Sequence, residues 1–285
     1  MKAIHVCQGL LLWVAALLPV APWAQNTVPP QKAVPQPSDV IDCNTFAAQD
    51  GRLALISKLC TFALTYRSKL PDFIAQQTTT SHGARSTIVI KSQVTYRQGL
   101  EQYSQITVNG KALPPDTPLP TNVHLITSGE FGPLLINLFE VPDSTEFKFV
   151  KTDALDSSPV SVFDFHLPKD KNSFWAIRAP RGETLKPEFR GRLWLDSETG
   201  RIVREEVEPV VNENTTWIHS VKLDADYAMT RVGDLGTFLL PTKSESKMCL
   251  GGPQYLVSCT TNVVVFHDYR KFIATSRILP AGSQP

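Results

Sequence analysis

The sequence carries almost no charge imbalance, with 28 lysines and arginines against 27 aspartates and glutamates. Lys2 is the only charged side chain in the first 24 residues, so the chain beyond them is neutral, and it contains no basic run. This removes the electrostatic grounds for a nucleic-acid partner or an anionic membrane surface. G-x-S-x-G, H-E-x-x-H, G-x-G-x-x-G and G-x-x-x-x-G-K-[ST] are all missing. The common hydrolase, zinc-protease and nucleotide-binding readings therefore lack support, and no cofactor is expected. No two cysteines stand at C-x-x-C spacing, which argues against a zinc ribbon or a thioredoxin-type motif. Beyond residues 10–20 no apolar run is long enough to span a bilayer, and no segment repeats at a fixed period.

What is present begins with an export signal. Lys2 precedes the apolar run 10–20, which is short for a membrane span, and Ala24 is a small residue suited to the position before a cut. Pro22 and Trp23 fit a small-x-small site poorly, so an uncleaved anchor is the alternative. Residues 1–24 are expected to be a signal peptide and 25–41, rich in proline and glutamine, an extended lead-in. Residues 42–280 then form one domain and 281–285 a tail. Export to the periplasm or beyond permits disulfides. Cys7 leaves with the signal, and Cys43, Cys60, Cys249 and Cys259 remain. Four cysteines allow three pairings, of which loop closure favours the local one, Cys43–Cys60 with Cys249–Cys259.

Leu53, Ile56, Leu59, Cys60, Ala63 and Tyr66 recur at steps of three and four, which places them on one helix face, and Pro71 stops the helix. From residue 74 the period falls to 2. RSTIVIKSQVTYR, TEFKFVKT, VSVFDFHL, SFWAIRA, EFRGRLWL, RIVREEVEP, WIHSVKLDADYAM, TFLLPTKSESKM and TNVVVFHDYRKFIA read as strands. Asn109-Gly110 marks a hairpin, as does GDLG at 233–236. The series implies a large, mostly antiparallel sheet with meander connections. One helical segment interrupts it. In TSGEFGPLLINLFE, Thr127 and Glu130 have capping-box spacing, Pro133 suits a fresh start near Gly132, and Leu134, Leu135, Leu138 and Phe139 make an apolar stripe.

GRLWLDSETGRIVREE, residues 191–206, offers Asp196 and Glu198 as a carboxylate pair. Alternation assigns the flanking residues to two strands, one face apolar and the other charged, with DSETG as the turn between them. The turn reading is preferred. Asp164 and His166 share a strand face, and with His267 would make a metal site if their strands were neighbours. Coincidences of exposed polar positions on alternating strands explain them as well. Trp175, Trp194 and Trp217 fall in three separate strands and could line one cavity face together with the 134–139 stripe, core or cross-strand packing being the preferred reading of the aromatics taken alone.

An exported chain that opens with a helix and LPDF, runs into antiparallel strands, and carries TSGEFG, WLDSETGRIVR and YRKF resembles secreted proteins of environmental, especially acidobacterial, bacteria. More widely it resembles the superfamily of the periplasmic lipoprotein carriers LolA and LolB and the regulator RseB. That resemblance implies an α+β fold, a curved half-open antiparallel barrel wrapped around covering helices, without enzymatic activity. The carrier family's functional residues do not map one by one onto this chain. The expected function is binding of an apolar ligand, an acyl chain or acylated protein, on the concave face, with Leu134, Leu135, Leu138, Phe139, Trp175 and Trp194 as its walls. The alternatives are an envelope sensor or scaffold that binds a protein partner, and a secreted hydrolase or metal enzyme built on Asp164, His166 and His267.

Overall fold

The computed structural model describes residues 41–114, 117, 131, 133–139, 144–172, 175–178, 184–212, 217–251 and 256–273. The signal and lead-in expected over 1–40, the capping box of Thr127 and Glu130, and the tail lie outside these residues. Two helices open the described chain, α1 (Asn44–Gln49) and α2 (Ala54–Lys69). Four strands follow: β1 (Phe73–His82), β2 (Thr87–Arg97), β3 (Leu100–Val108) and β4 (Lys111–Ala112). Helix α3 (Pro133–Asn137) separates them from β5 (Glu146–Leu155), β6 (Ser158–Leu167), β7 (Ile177–Arg178), β8 (Thr184–Leu185) and β9 (Glu188–Asp196). The chain closes with β10 (Ile202–Val210), β11 (Ile218–Arg231), β12 (Thr237–Leu250) and β13 (Ser258–Lys271). No helix among the described residues is long and apolar enough to cross a membrane.

Eleven strands make one antiparallel sheet in the order β4-β3-β2-β1-β13-β12-β11-β10-β9-β6-β5. The first strand pairs with the last, so they meet mid-sheet, and among the described residues β4 and β5 form the two unpaired edges. Among the described residues, SFWAIRA, expected as a full strand, supplies β7, which pairs with β8 in a separate two-stranded ribbon. The buried Trp175 lies ahead of that ribbon.

The sheet must curl. Phe131 packs on Phe73 and Tyr96, in β1 and β2, while Phe139 stacks on Phe147 of β5 with ring centroids 5.4 Å apart. On a flat sheet β2 and β5 would lie about 38 Å apart at ~4.8 Å per strand. The short path from 131 to 139, part of it helical, spans only about 20 Å. One segment therefore touches both arms only because the sheet bends around it. The chain passes from one free edge, β4, to the other, β5, through this segment.

The interior follows from period. Every one of Leu53, Ile56, Leu59, Cys60, Ala63 and Tyr66 is buried, as the helical spacing requires, and α2 stops two residues before Pro71. The Tyr66 hydroxyl donates to the Leu239 carbonyl at 2.6 Å, tying α2 to β12. Burial raises its pKa further above the ordinary phenol value. Cys43 is bonded to Cys60, fastening α1 to α2, and Cys249 to Cys259, which face each other across β12 and β13. Gly191 permits a close approach: a Cβ there would stand 2.0 Å from the Glu206 carbonyl and 2.4 Å from the Phe165 ring. Phe165 thus lies directly over β9.

A candidate ligand-binding hollow

On the concave side, two apolar groups cover the sheet. Phe163, Phe165, Leu193, Leu195, Val207 and Met248 meet α2 and the stripe of α3. Phe73, Val94, Tyr96, Leu240 and Phe266 meet Phe131. Leu135, Leu138 and Phe139 are at most 2% exposed. Leu134 lies within α3, its side chain outside the described part of the structure. Helix α3 starts at Pro133, where proline's fixed φ suits a first turn. With five residues it is too short to hold itself by backbone bonds, so its position depends on these contacts.

Trp175 is buried and packs edge-on against Phe189 at 4.9 Å and Phe165 at 6.2 Å. Asn172 brackets its backbone, accepting from the Trp175 amide and donating to its carbonyl. Trp194 is a correction to the expected walls. It occupies the opposite face of β9 from Leu193 and Leu195, beside the Arg192 guanidinium at 5.9 Å. Strand alternation requires this, because its neighbours on both sides point inward.

Arg192, Arg204 and Glu206 of the 191–206 stretch belong to that outer face, whereas Glu205 does not. Arg192 pairs with Asp164 of β6 at 2.7 Å, Arg204 with Asp226 of β11 at 2.6 Å, and Lys222 with both Glu206 and Asp224. Arg204, Lys222 and Lys243 line an outer groove of about 200 Å³ with Glu206, Asp224, Asp226 and Glu245, so each cation there already has an acidic neighbour. Both Asp196 and Glu198 serve the turn. Asp196 accepts from the Thr199 hydroxyl at 2.6 Å and amide at 2.7 Å, bonds that hold its pKa below the usual carboxylate value. The Glu198 carbonyl receives the Lys58 ammonium at 3.0 Å, resting the turn on α2. Gly200 closes it with φ +74°.

The metal group does not assemble. Strands β6 and β13 are separated by β9, β10, β11 and β12. Asp164 is engaged by Arg192, His166 stands between Glu146 and Glu188, and His267 bonds its neighbour Asp268. No three potential metal ligands cluster among the described residues.

One inward residue was not singled out from the sequence. Glu205 faces the concave side, 1% exposed, opposite Leu193 and Ala225. Burial pushes its carboxyl up to about 8, partly countered by the Tyr227 hydroxyl. Neither carboxyl oxygen meets a donor in hydrogen-bonding geometry. The signal existed: alternation places Glu205 on the same face as Val207.

No family model and no curated protein sequence matches this chain. Among solved structures it is similar to a LolA superfamily protein from Nitrosomonas europaea at 10% identity, over 79% of this chain and 94% of that one, with a TM-score of 0.38. It is similar to a putative outer membrane lipoprotein-sorting protein domain from Vibrio parahaemolyticus at 12% identity, over 75% and 90%, with a TM-score of 0.40. A looser likeness joins it to a chain of the Pseudomonas aeruginosa MucA/MucB complex at 10% identity, over 79% and 100%, with a TM-score of 0.21.

Proposed function

We propose that this chain is an exported, non-enzymatic protein of the cell envelope that binds an acyl chain, free or on an acylated protein, between the concave face and the crossing that carries α3. The supporting observation is the topology: an unclosed sheet whose two free edges are joined by one segment, and that segment covers the interior with Phe131, Leu135, Leu138 and Phe139. Such a cover can lift without breaking the strand ladder.

Magnitudes decide which ligands can lift it. Exposing Leu135, Leu138 and Phe139 costs about 6 kcal/mol, at ~2 kcal/mol for each buried side chain. A ten-carbon chain returns about 8 kcal/mol at ~0.8 kcal/mol per methylene, which association costs consume. A sixteen-carbon chain returns about 13 kcal/mol and leaves a usable surplus. Binding should therefore demand long chains.

Native mass spectrometry of the mature protein, with organic extraction, should show a co-purifying acyl compound. Sixteen-carbon amphiphiles should displace Nile red from stripped protein. Leu138→Glu should weaken that displacement while strand circular dichroism persists. If no amphiphile displaces the dye and Leu138→Glu only unfolds the chain, the stripe is core and the hollow reading fails.

A further inference from the structure

The concave face is not apolar throughout. On β1 the inward positions run Phe73, Ala75, Gln77, Thr79, Ser81, passing from aromatic to polar along a single strand. The register carries the change across the sheet. Gln77 lies opposite Ser92, Ser81 opposite Asn262, and Asn262 opposite Ser246. All five of these side chains are buried, at 8% exposure or less. Glu205 belongs to the same surface, because Ala225 stands between it and Ser244 and is too small to screen one from the other. Polar side chains buried in this way normally find partners. Gln77 donates to Thr79 yet its Oε1 has no donor, the Ser246 hydroxyl has no partner, and Glu205 has only the Tyr227 hydroxyl beside it, out of hydrogen-bonding geometry. Three groups with unsatisfied polar atoms, on β1, β12 and β10, therefore face one side of the sheet. Among the described residues, no lysine or arginine is buried there with them.

A hollow for a bare hydrocarbon has no use for these groups, whereas a hollow for an amphiphile does. We infer that Glu205, Gln77 and Ser246, with Thr79, Ser244 and Asn262, form a head-group subsite for an amphiphile whose polar end is uncharged or cationic and donates hydrogen bonds, such as a hydroxyl, amide or amine. A surface with a carboxyl and no buried cation has no positive charge to compensate a carboxylate or phosphate head group. The ligand class narrows from any acyl chain to one ending in a donor, an inference that rests on the hollow proposed above.

The test compares three sixteen-carbon probes with different ends on the mature, disulfide-intact protein: 1-monopalmitoylglycerol, hexadecylamine and palmitate, each displacing Nile red at pH 7. The hydroxyl and amine probes should bind at least tenfold more tightly than palmitate. Glu205→Gln should reduce the amine's advantage over palmitate, and Ser246→Ala the glycerol's, each without abolishing binding of the chain. The ranking is measured on the unaltered protein, so it stands even if a variant fails to fold. Palmitate binding as tightly as the other two would overturn the head-group subsite while leaving the hollow intact. Failure of all three to bind would overturn the hollow itself, and with it this inference.

Discussion

Glu205→Gln should change how stability depends on pH in a direction that the geometry fixes. The carboxyl is buried among Leu193, Ala225 and Tyr227 and holds its proton up to about pH 8, whereas the ordinary value in a solvated chain is 4.5. Between those two values the unfolded chain releases a proton that the native protein keeps. Native protein then binds more protons than unfolded, so stability falls as pH rises. The contribution is favourable and complete below about pH 4.5, declines by ~1.4 kcal/mol per pH unit through the window, and levels off above 8. Across the full window the loss is about 5 kcal/mol, and about 3 kcal/mol of it has accrued by pH 7. Glutamine has nearly the same shape and does not titrate, so its amide adds a constant offset without a slope. Urea unfolding of both proteins at pH 5, 6, 7, 8 and 9 isolates the term as the change in their stability difference. The glutamine protein should gain on the wild type steadily from pH 5 to 8 and no further beyond it. A difference that stays constant within ~1 kcal/mol over that range would show that Glu205 is solvated or paired, and the buried-carboxyl argument would fall.

The DSETG turn should behave as scaffold. Asp196→Ala loses the two Thr199 bonds and should cost about 1 kcal/mol, and Gly200→Ala, forced to φ +74° with its Cβ 3.0 Å from Lys58, about 1–2 kcal/mol. Thermal unfolding should register both while Nile red displacement stays unchanged, and a binding loss at constant melting temperature would make the turn a site. Non-reducing peptide mapping should recover Cys43–Cys60 and Cys249–Cys259, and a Cys43–Cys249 peptide would contradict the fold. Replacing Cys43 and Cys60 by serine should cost about 3 kcal/mol, since the bond closes a 17-residue separation between two helices. The Cys249–Cys259 pair should cost less, because the β12–β13 ladder already holds its ends together.

Local chemistry written into the chain determined much of this protein. The three-and-four spacing from Leu53 to Tyr66 has no other stable outcome than a helix with one buried face. Asn109 and Gly110 have the positive φ values that their turn demands, and DSETG closes through its own Asp, Thr and Gly. Alternation in EFRGRLWLD separated inward leucines from outward arginines, and even marked Trp194 as outward, against its place among the expected walls. These features depend on neighbours within a few residues, so a linear pattern contains them. Tertiary structure alone decided which strands meet. Nothing local says that β1 pairs with β13, that four strands keep Asp164 and His166 from His267, or that the segment after β4 runs to the opposite edge. It also decided the polar character of part of the concave face. Gln77, Ser246 and Glu205 lie far apart in the chain and read singly as ordinary strand polars. Only the register, set by the pairing of distant strands, turns all three toward one concave face and takes them out of water.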